Sequence, residues 1–307
     1  MRLRLARHIR GRTVVVAVPM VFLLAFFLLP FAIVGQISLA DMEDVCCKDL
    51  VTFDGGVLRI ALKFAGYAFI ADDPLYLRTY VSSLKYAAAT TLLCLAIGYP
   101  FAYFMARAER AVQPALLMLV MLPFWTSFLL RVYAWRALLA EHGWIEQWVV
   151  GSGLDTLLHA LGLIVEPGQL LFTPFSLVVG MTYTYLPFMV LPLYAHLAKM
   201  DLRLLEAAAD LGATPWVAFW KITVPLSKAG IIAGAMLVFI PCVGEFVIPE
   251  LLGGPETLMI GRVIWDEFFA NNDWPLASSV AIVMVLLIIV PLAVFSKYQA
   301  EAEERVR

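Results

Sequence analysis

The amino-acid sequence predicts an all-α integral membrane protein with six transmembrane helices. The 307 residues are 62% hydrophobic and only 15% charged, and the mean hydropathy is +0.86. Water-soluble domains carry about 25% charged residues, so this chain has too few charges to cover a water-exposed surface. Several of its uncharged runs reach the length of about 20 apolar residues that crosses a bilayer.

Six runs fit a membrane-spanning helix, and together they predict one membrane domain at residues 13–298. They lie at residues 14–36, 86–106, 111–139, 174–198, 229–252 and 274–296. Two stretches between them differ in character. Residues 41–80 predict a polar, mainly acidic loop with strand-like composition at 56–70, and residues 140–170 predict helices that lie at the membrane surface.

The distribution of positive charge predicts the orientation in the membrane. Six spans put both termini on one side, and most of the 22 Lys and Arg residues fall on that side. Lys and Arg are enriched in cytoplasmic loops, so the basic N-terminus (1–12) and the tail (299–307) are predicted to be cytoplasmic. Residues 38–40 resemble a cleavage site, but the first run exceeds the apolar core of a signal peptide, so we expect an uncleaved span.

The sequence lacks the motifs of a catalytic or metal-binding chain. It has no G-x-x-x-x-G-K-[ST] phosphate loop, no H-E-x-x-H and no C-x-x-C, and its net charge of −2 gives no basis for binding nucleic acid. Cys94 and Cys242 lie in apolar runs and are expected to be buried. The adjacent Cys46 and Cys47 do not indicate a disulfide framework. We therefore expect no enzyme activity and no catalytic or metal-ligating residues.

The segment 201–225 interrupts the apolar runs and predicts two short helices joined by a turn. Glu206, Ala207 and Ala208 are strong helix formers. Gly212 permits the positive φ that ends such a helix at low steric cost. A compact helix–turn–helix between membrane spans is suited to docking on another protein.

The second helix of this segment has its own start and stop signals. Thr214 followed by Pro215 is an N-cap with proline at the first helical position. Pro225 is expected to end the unit, because a proline inside a helix loses a hydrogen bond.

The spacing of these residues resembles the EAA loop of the membrane subunits of ABC importers. The motif is matched at Glu206, Ala207, Ala208, Gly212, Ile222 and Pro225, with Val224 in place of the usual Leu. The resemblance implies the type I ABC importer permease fold, in which this loop is cytoplasmic and couples to a groove of the ATPase subunit. It also implies that this chain holds no cofactor, because the partner ATPase binds ATP and Mg.

Other segments resemble the polyamine (spermidine/putrescine) subfamily of these permeases, and within it most closely the putrescine importers. They are residues 97–100, 125–128, 131–135, 185–192 and 237–275. The resemblance implies import of a polyamine, putrescine in particular, across the bacterial inner (plasma) membrane. The implied partners are an ABC ATPase dimer, a second homologous permease subunit, a periplasmic polyamine-binding protein and membrane lipid.

Two other functions stay open on the sequence alone. One is an ABC importer permease for a different small solute. The other is an ion-coupled secondary transporter that works without an ATPase; such transporters often contain inverted repeats, and none is visible here.

Glu245 is the main candidate for the substrate path. An ionisable residue inside a membrane span is costly and is a functional hypothesis by default. Glu245 follows Gly244 and lies between Pro241 and Pro249, a pattern that predicts a broken helix lining a cavity. Glu245 either attracts a cation in the path or forms a hydrogen bond or ion pair with a neighbouring helix.

Aromatic rings and outer acids complete the candidate path. An ammonium group binds the face of an aromatic ring, and acidic residues steer a cation by long-range attraction. The candidates are Trp125, Tyr133, Tyr183 and Tyr185 among the aromatics and Glu250, Asp266 and Glu267 among the acids. Ordinary packing or a solvated charge is the alternative for each of them. Arg131 is expected to extend its charge toward the interface or to pair with an acid.

Overall fold

The part of the chain that the structure describes is built almost entirely from helices, with four short strands near its N-terminal end. The computed structural model describes residues 15–40, 42–43, 46–47, 51–54, 57–60 and 62–304, with side chains over 15–40 and 62–293. The basic segment 1–12 and the end of the tail lie outside the described residues. The chain divides into two compact units, Met1–Pro74 with Ile264–Val285, and Leu75–Val263 with Leu286–Arg307.

The helices are numbered in chain order. They are α1 (Val15–Ile37), α2 (Ala65–Asp72), α3 (Pro74–Arg107), α4 (Gln113–Met121), α5 (Phe128–Leu139), α6 (Trp144–Ser152), α7 (Leu154–Ala160), α8 (Pro174–Leu197), α9 (Arg203–Asp210), α10 (Pro215–Leu226), α11 (Lys228–Val243), α12 (Val247–Leu252), α13 (Ile260–Trp265) and α14 (Trp274–Glu304).

Four to six membrane spans are present in the described part of the chain. Four single helices are long and apolar enough, namely Val15–Ile37, Pro74–Arg107, Pro174–Leu197 and Trp274–Ala293. Two bent pairs bring the number to six if each pair is one span: Gln113–Trp125 with Phe128–Ser152, bent by 87°, and Pro215–Leu226 with Lys228–Val243, bent by 65°. The predicted all-helical membrane fold is therefore confirmed.

Two antiparallel hairpins form the strands of the first unit. β1 (Met42–Glu43) pairs with β2 (Cys46–Cys47), and β3 (Val51–Asp54) pairs with β4 (Val57–Ile60). The strand-like composition at 56–70 corresponds to a strand only at Val57–Ile60, because Ala65–Asp72 forms the helix α2.

Tertiary contacts hold α2 in place. The Tyr67 hydroxyl lies 2.8 Å from Ser38 Oγ at the end of α1, and Ser279 Oγ of α14 donates to the Ser38 carbonyl oxygen at 3.0 Å. These bonds join α1, α2 and α14 within the first unit. Such tertiary contacts outweigh the local strand preference of the α2 sequence.

The prediction of one continuous third span was wrong. Helix α4 ends at Met121, a 3₁₀ turn covers Leu122–Trp125, and α5 starts at Phe128 after the 87° bend. The extended ψ angles of Thr126 and Ser127, 151° and 136°, break the helix between the two apolar pieces. The 140–170 region contains helices α6 and α7, as predicted; their place at the membrane surface stays a prediction.

The predicted break in the fifth span is confirmed, but it does not lie at either of the two prolines. Helix α11 runs through Pro241 to Val243, and α12 starts at Val247 and contains Pro249 in its first turn. A proline in the first turn of a helix loses no intrahelical bond. The break consists instead of the residues 244–246, centred on Glu245.

Candidate functional site

The segment between α8 and α11 is the helix–turn–helix that the sequence predicts. Helix α9 ends at Asp210 with Leu211 as its C-cap, and Gly212 follows with φ of +79°. The Ala213 N–H donates to the Ala208 carbonyl oxygen at 2.9 Å, which closes the end of α9. Thr214 caps α10, and its Oγ1 accepts a hydrogen bond from the Val217 N–H at 3.4 Å.

This unit ends one residue after Pro225, close to the predicted end, but the proline lies inside its last turn. Helix α10 continues to Leu226, and a π-helical turn covers Phe219–Thr223 just before the proline. A π turn contains an extra residue, which shifts the backbone and relieves the clash that a proline ring makes in a regular α-helix.

One surface of the segment is strongly apolar and exposed. It consists of Leu204, Leu211, Trp216 and Trp220, and we call it the coupling face. Leu211 is 89% exposed and Trp216 is 70% exposed. Ala208 and Ala218 are buried, and the rings of Trp216 and Trp220 meet edge-on at 5.8 Å. Large exposed apolar side chains in one short segment are typical of an interaction site.

Glu245 lies in the break between α11 and α12 and is held by three donors. The Tyr185 hydroxyl of α8 donates a hydrogen bond to Glu245 Oε2. Glu245 Oε1 accepts from the N–H groups of Val247 at 3.1 Å and Ile248 at 3.4 Å. The carboxylate therefore caps the start of α12, where a negative charge is favourable. Of the two alternatives for Glu245, the hydrogen bond to a neighbouring helix is present, and a contact with a cation stays a prediction.

A row of aromatic rings extends from this pair to Arg131. The Tyr185 ring centroid lies 6.2 Å from that of Phe188, and Phe188 meets Phe124 edge-on at 5.1 Å. The Arg131 guanidinium carbon lies 5.6 Å from the centre of the Phe124 ring. The row thus has a carboxylate at one end and a guanidinium at the other.

The two phenylalanines of this row were not among the candidates that the sequence predicted. Phe188 lies three residues after Tyr185 on α8, and this spacing puts both rings on one helix face. That signal was available from the sequence. Phe124 carries no such signal, because its position depends on the bend that follows Trp125.

Arg131 has no acidic partner in the part of the chain with described side chains. Its Nε and Nη1 atoms are buried and make no hydrogen bond there. The guanidinium contacts the faces of Phe124 and Phe128, the latter at 5.9 Å. The expected ion pair is therefore absent from this region, and cation–π contacts take its place.

The remaining aromatic candidates lie outside the row. Trp125 and Tyr133 are exposed, and Tyr183 packs edge-on against Trp135 with centroids 5.4 Å apart. Of the four predicted aromatic residues, only Tyr185 contacts Glu245 among the described side chains.

The predicted outer acids have partners of their own. Glu250 forms an ion pair with Arg262, with 2.7 Å between Oε2 and Nε. Asp266 and Glu267 start a π-helical turn in the first unit, and Glu267 accepts a hydrogen bond from Asn271 Nδ2 at 2.8 Å. Among the described residues no group of three His, Cys, Asp or Glu side chains could hold a metal ion. Cys94 and Cys242 are buried free thiols, as predicted.

The fold is that of an all-helical membrane protein, and comparison with known proteins gives its family. The chain belongs to the binding-protein-dependent transport system inner membrane components, whose sequence profile matches residues 94–301. It is 40% identical over 242 residues to the spermidine/putrescine transport system permease protein PotB of Escherichia coli (strain K12), covering 79% of this chain and 84% of that protein. The PotB protein of Haemophilus influenzae is 40% identical over 228 residues, covering 74% of this chain and 76% of the relative.

A solved structure supports the same fold. The crystal structure of a bacterial alginate ABC transporter, in complex with an alginate pentasaccharide-bound periplasmic protein, matches with a TM-score of 0.63. The match covers 95% of this chain and 96% of that chain at 16% identity, so it carries the fold alone. The chain is an ABC importer permease, a multi-pass inner-membrane protein that is not itself catalytic; a separate ATPase subunit binds ATP.

Proposed function

We propose that this permease carries a polyamine, putrescine in particular, into the cytoplasm. The relatives at 40% identity are named as spermidine/putrescine permeases. A polyamine at neutral pH is a flexible alkyl chain with a positive charge at each end. It therefore needs an acidic group for an ammonium and an apolar surface for the methylenes.

The observation that carries this proposal is the contact between Tyr185 and Glu245 in the broken fifth span. Irregular backbone at membrane depth is tolerated where it lines a cavity or is covered by protein. The Glu245 carboxylate supplies the negative charge that an ammonium group needs, and the rings of Phe188 and Phe124 supply an apolar surface beside it. Arg131 repels a cation from the far end of the row, so the ammonium is expected on the Glu245 side.

The coupling face is proposed to dock on the ATPase subunit from the cytoplasmic side. Glu206 and Ala207 are exposed on α9, and Gly212 holds the turn that presents Leu211. Both termini are then cytoplasmic, as the distribution of Lys and Arg predicts. The remaining partners are a second permease subunit, which completes the path, and a periplasmic polyamine-binding protein, which delivers the substrate.

Uptake by the reconstituted complex tests this function. The chain is purified with its co-purifying partners, placed in lipid vesicles, and given labelled putrescine with and without ATP. We expect uptake that requires ATP and is reduced by unlabelled spermidine. Uptake of neither polyamine by a complex that hydrolyses ATP would keep the importer class and overturn the substrate. Uptake without any ATPase subunit would favour an ion-coupled transporter.

A further inference from the structure

Helices α9 and α10 with the turn between them, which we call the coupling segment, meet the fifth-span helix α11 at an elbow formed by one residue, Ser227. Helix α10 ends at Leu226, α11 starts at Lys228, and the two are bent by 65°. The Ser227 N–H donates to the Thr223 carbonyl oxygen at 3.0 Å, and the Ser227 carbonyl oxygen accepts from the Ile231 N–H at 2.9 Å. The backbone of Ser227 therefore takes part in the hydrogen bonding of both helices.

The Ser227 side chain ties this elbow to α3. Its Oγ donates to the Val224 carbonyl oxygen at 3.1 Å and lies 2.8 Å from the Tyr99 hydroxyl. A serine hydroxyl has a single proton, which here goes to Val224, so Tyr99 is the donor to Ser227. Tyr99 is 8% exposed and Ser227 is 2% exposed. Separating them inside the protein leaves a buried hydroxyl without a partner, which is costly.

Phe219 reinforces this contact from the coupling segment. Its ring meets Tyr99 edge-on at 5.5 Å and Tyr103 edge-on at 6.1 Å, both on α3. The same ring stacks on Trp216 of the coupling face at 6.2 Å. A force applied to the coupling face at Trp216 therefore reaches α3 through one intervening ring.

Tight packing continues from α3 to α8, the helix whose Tyr185 donates a hydrogen bond to Glu245. Gly98 of α3 faces Met189 of α8, and a Cβ at Gly98 would lie only 3.2 Å from Met189 Cγ. Met189 is fully buried and also faces Gly234 of α11, where a Cβ would lie 2.8 Å from its sulfur. Met189 lies one helical turn after Tyr185. Close-packed contacts transmit a displacement because they have no free volume in which to absorb it.

We infer that the hydrogen bond between Tyr99 and Ser227 is a latch that holds the elbow on α3, so that movement of the coupling segment displaces α3 as well. This inference rests on the proposed function, in which the ATPase moves the coupling segment. Tyr99 and Ser227 act as positioning residues: they connect the coupling face to the packed helices around Tyr185.

Two substitutions remove the latch, and a neighbouring tyrosine supplies the control. Tyr99→Phe keeps the ring on Phe219, and Ser227→Ala keeps the elbow backbone. Tyr103→Phe is the control, because the Tyr103 ring also packs against Phe219. Its hydroxyl has no hydrogen-bond partner among the described side chains. In the assembled complex, we measure the number of substrate molecules transported per ATP hydrolysed. This ratio should fall about fivefold in Tyr99→Phe and in Ser227→Ala, because one ordinary hydrogen bond contributes about 1 kcal/mol.

The double variant and the control complete this experiment. Tyr99→Phe with Ser227→Ala should be no worse than either single variant, because both remove the same bond. Tyr103→Phe should retain the wild-type ratio. An unchanged ratio in Tyr99→Phe, or an equal fall in Tyr103→Phe, would overturn the latch.

A distance measurement tests the latch without relying on transport. Spin labels are attached at Leu211→Cys on the coupling face and Phe104→Cys on α3, two exposed positions, after Cys46 and Cys47 are replaced by Ser. We expect one narrow distance distribution in the otherwise wild-type protein and in Tyr103→Phe, and a broader one in Tyr99→Phe and Ser227→Ala. Equal distributions in all four proteins would contradict the latch. Failure of the unlabelled wild-type chain to bind an ATPase would instead contradict the proposed function, and the distances within the labelled chain do not depend on that binding.

Discussion

The Tyr185 hydroxyl of α8 donates a hydrogen bond to Glu245 in the break between α11 and α12. This bond joins two membrane helices across 60 residues of sequence, and it fixes one oxygen of the carboxylate while backbone N–H groups hold the other. Glu245 thus has a defined direction in the proposed path, which is what a site for an ammonium group requires.

Replacing Tyr185 by Phe should weaken transport while the chain still folds. The substitution removes the hydroxyl that orients Glu245 and keeps the ring that packs near Phe188. We expect the uptake rate at low putrescine concentration to fall about tenfold, as for a hydrogen bond to a charged group. Initial-rate uptake in vesicles measures this, with Tyr103→Phe as the matched control. An unchanged rate would show that the hydroxyl does not position the carboxylate for transport.

A charge at Gly212 should prevent docking of the ATPase. A Cβ at this position meets no atom within 4 Å, and the φ of +79° is one that Asp and Asn tolerate better than most residues. Gly212→Asp adds a buried charge to the docked interface, whereas the isosteric Gly212→Asn does not. We expect Gly212→Asp to insert in the membrane and lose both ATPase co-purification and uptake, and Gly212→Asn to retain part of both. Wild-type uptake by Gly212→Asp would contradict the docking role.

Trp216 should be a main contributor to binding of the ATPase. Exposed tryptophans at the centre of an apolar surface dominate binding energies, and truncating such a residue costs about 2 kcal/mol or more. Trp216→Ala should therefore weaken ATPase binding about thirtyfold, with little change in thermal stability. Trp144→Ala is the control, because Trp144 at the start of α6 is even more exposed, 85% against 70% for Trp216. Titration of detergent-solubilised permease with purified ATPase gives both affinities, and equal affinities for the two variants would argue against the coupling face.

Two adjacent serines on α3 should differ sharply in their effect on stability. Ser83 Oγ accepts a hydrogen bond from the Ile260 N–H at 2.7 Å, and Ser83 is fully buried. Ser83→Ala leaves that N–H without a partner and should lower the free energy of unfolding by about 1–3 kcal/mol. Ser82 Oγ is buried without a hydrogen bond, so Ser82→Ala should be neutral or stabilising. Thermal unfolding of both variants in the same detergent tests this; equal losses would contradict it.

Much of the fold follows from the pattern of charges in the sequence. The uncharged runs at residues 14–36, 174–198 and 274–296 correspond closely to single helices. The coupling segment was predicted in detail because its signals are local: a positive φ at Gly212 and a cap at Thr214 each act within a few residues.

The features that the sequence did not predict are of two kinds. Some depend on contacts between residues far apart in sequence, and others are helix bends that no charged residue marks in the sequence. The 87° bend after Trp125 interrupts a run that stays uncharged up to Arg131, so hydropathy cannot locate it. Pro225 was expected to end a helix, but the π turn before it belongs to a segment whose Phe219 packs on α3. The bond between Tyr185 and Glu245 needs the packing of α8 against α11, which no local pattern specifies.

Replacing Glu245 by Gln tests the proposed path most directly. The substitution keeps the size and one acceptor oxygen but removes the charge. Glu256→Gln is the control, because Glu256 is an exposed acid of the 3₁₀ turn Pro255–Thr257. ATP-dependent uptake of labelled putrescine and ATP hydrolysis are measured in the same vesicles. We predict that Glu245→Gln loses most of its uptake while the complex still assembles and hydrolyses ATP, and that Glu256→Gln transports normally. Normal putrescine uptake by Glu245→Gln would contradict a path in which this carboxylate binds the cation.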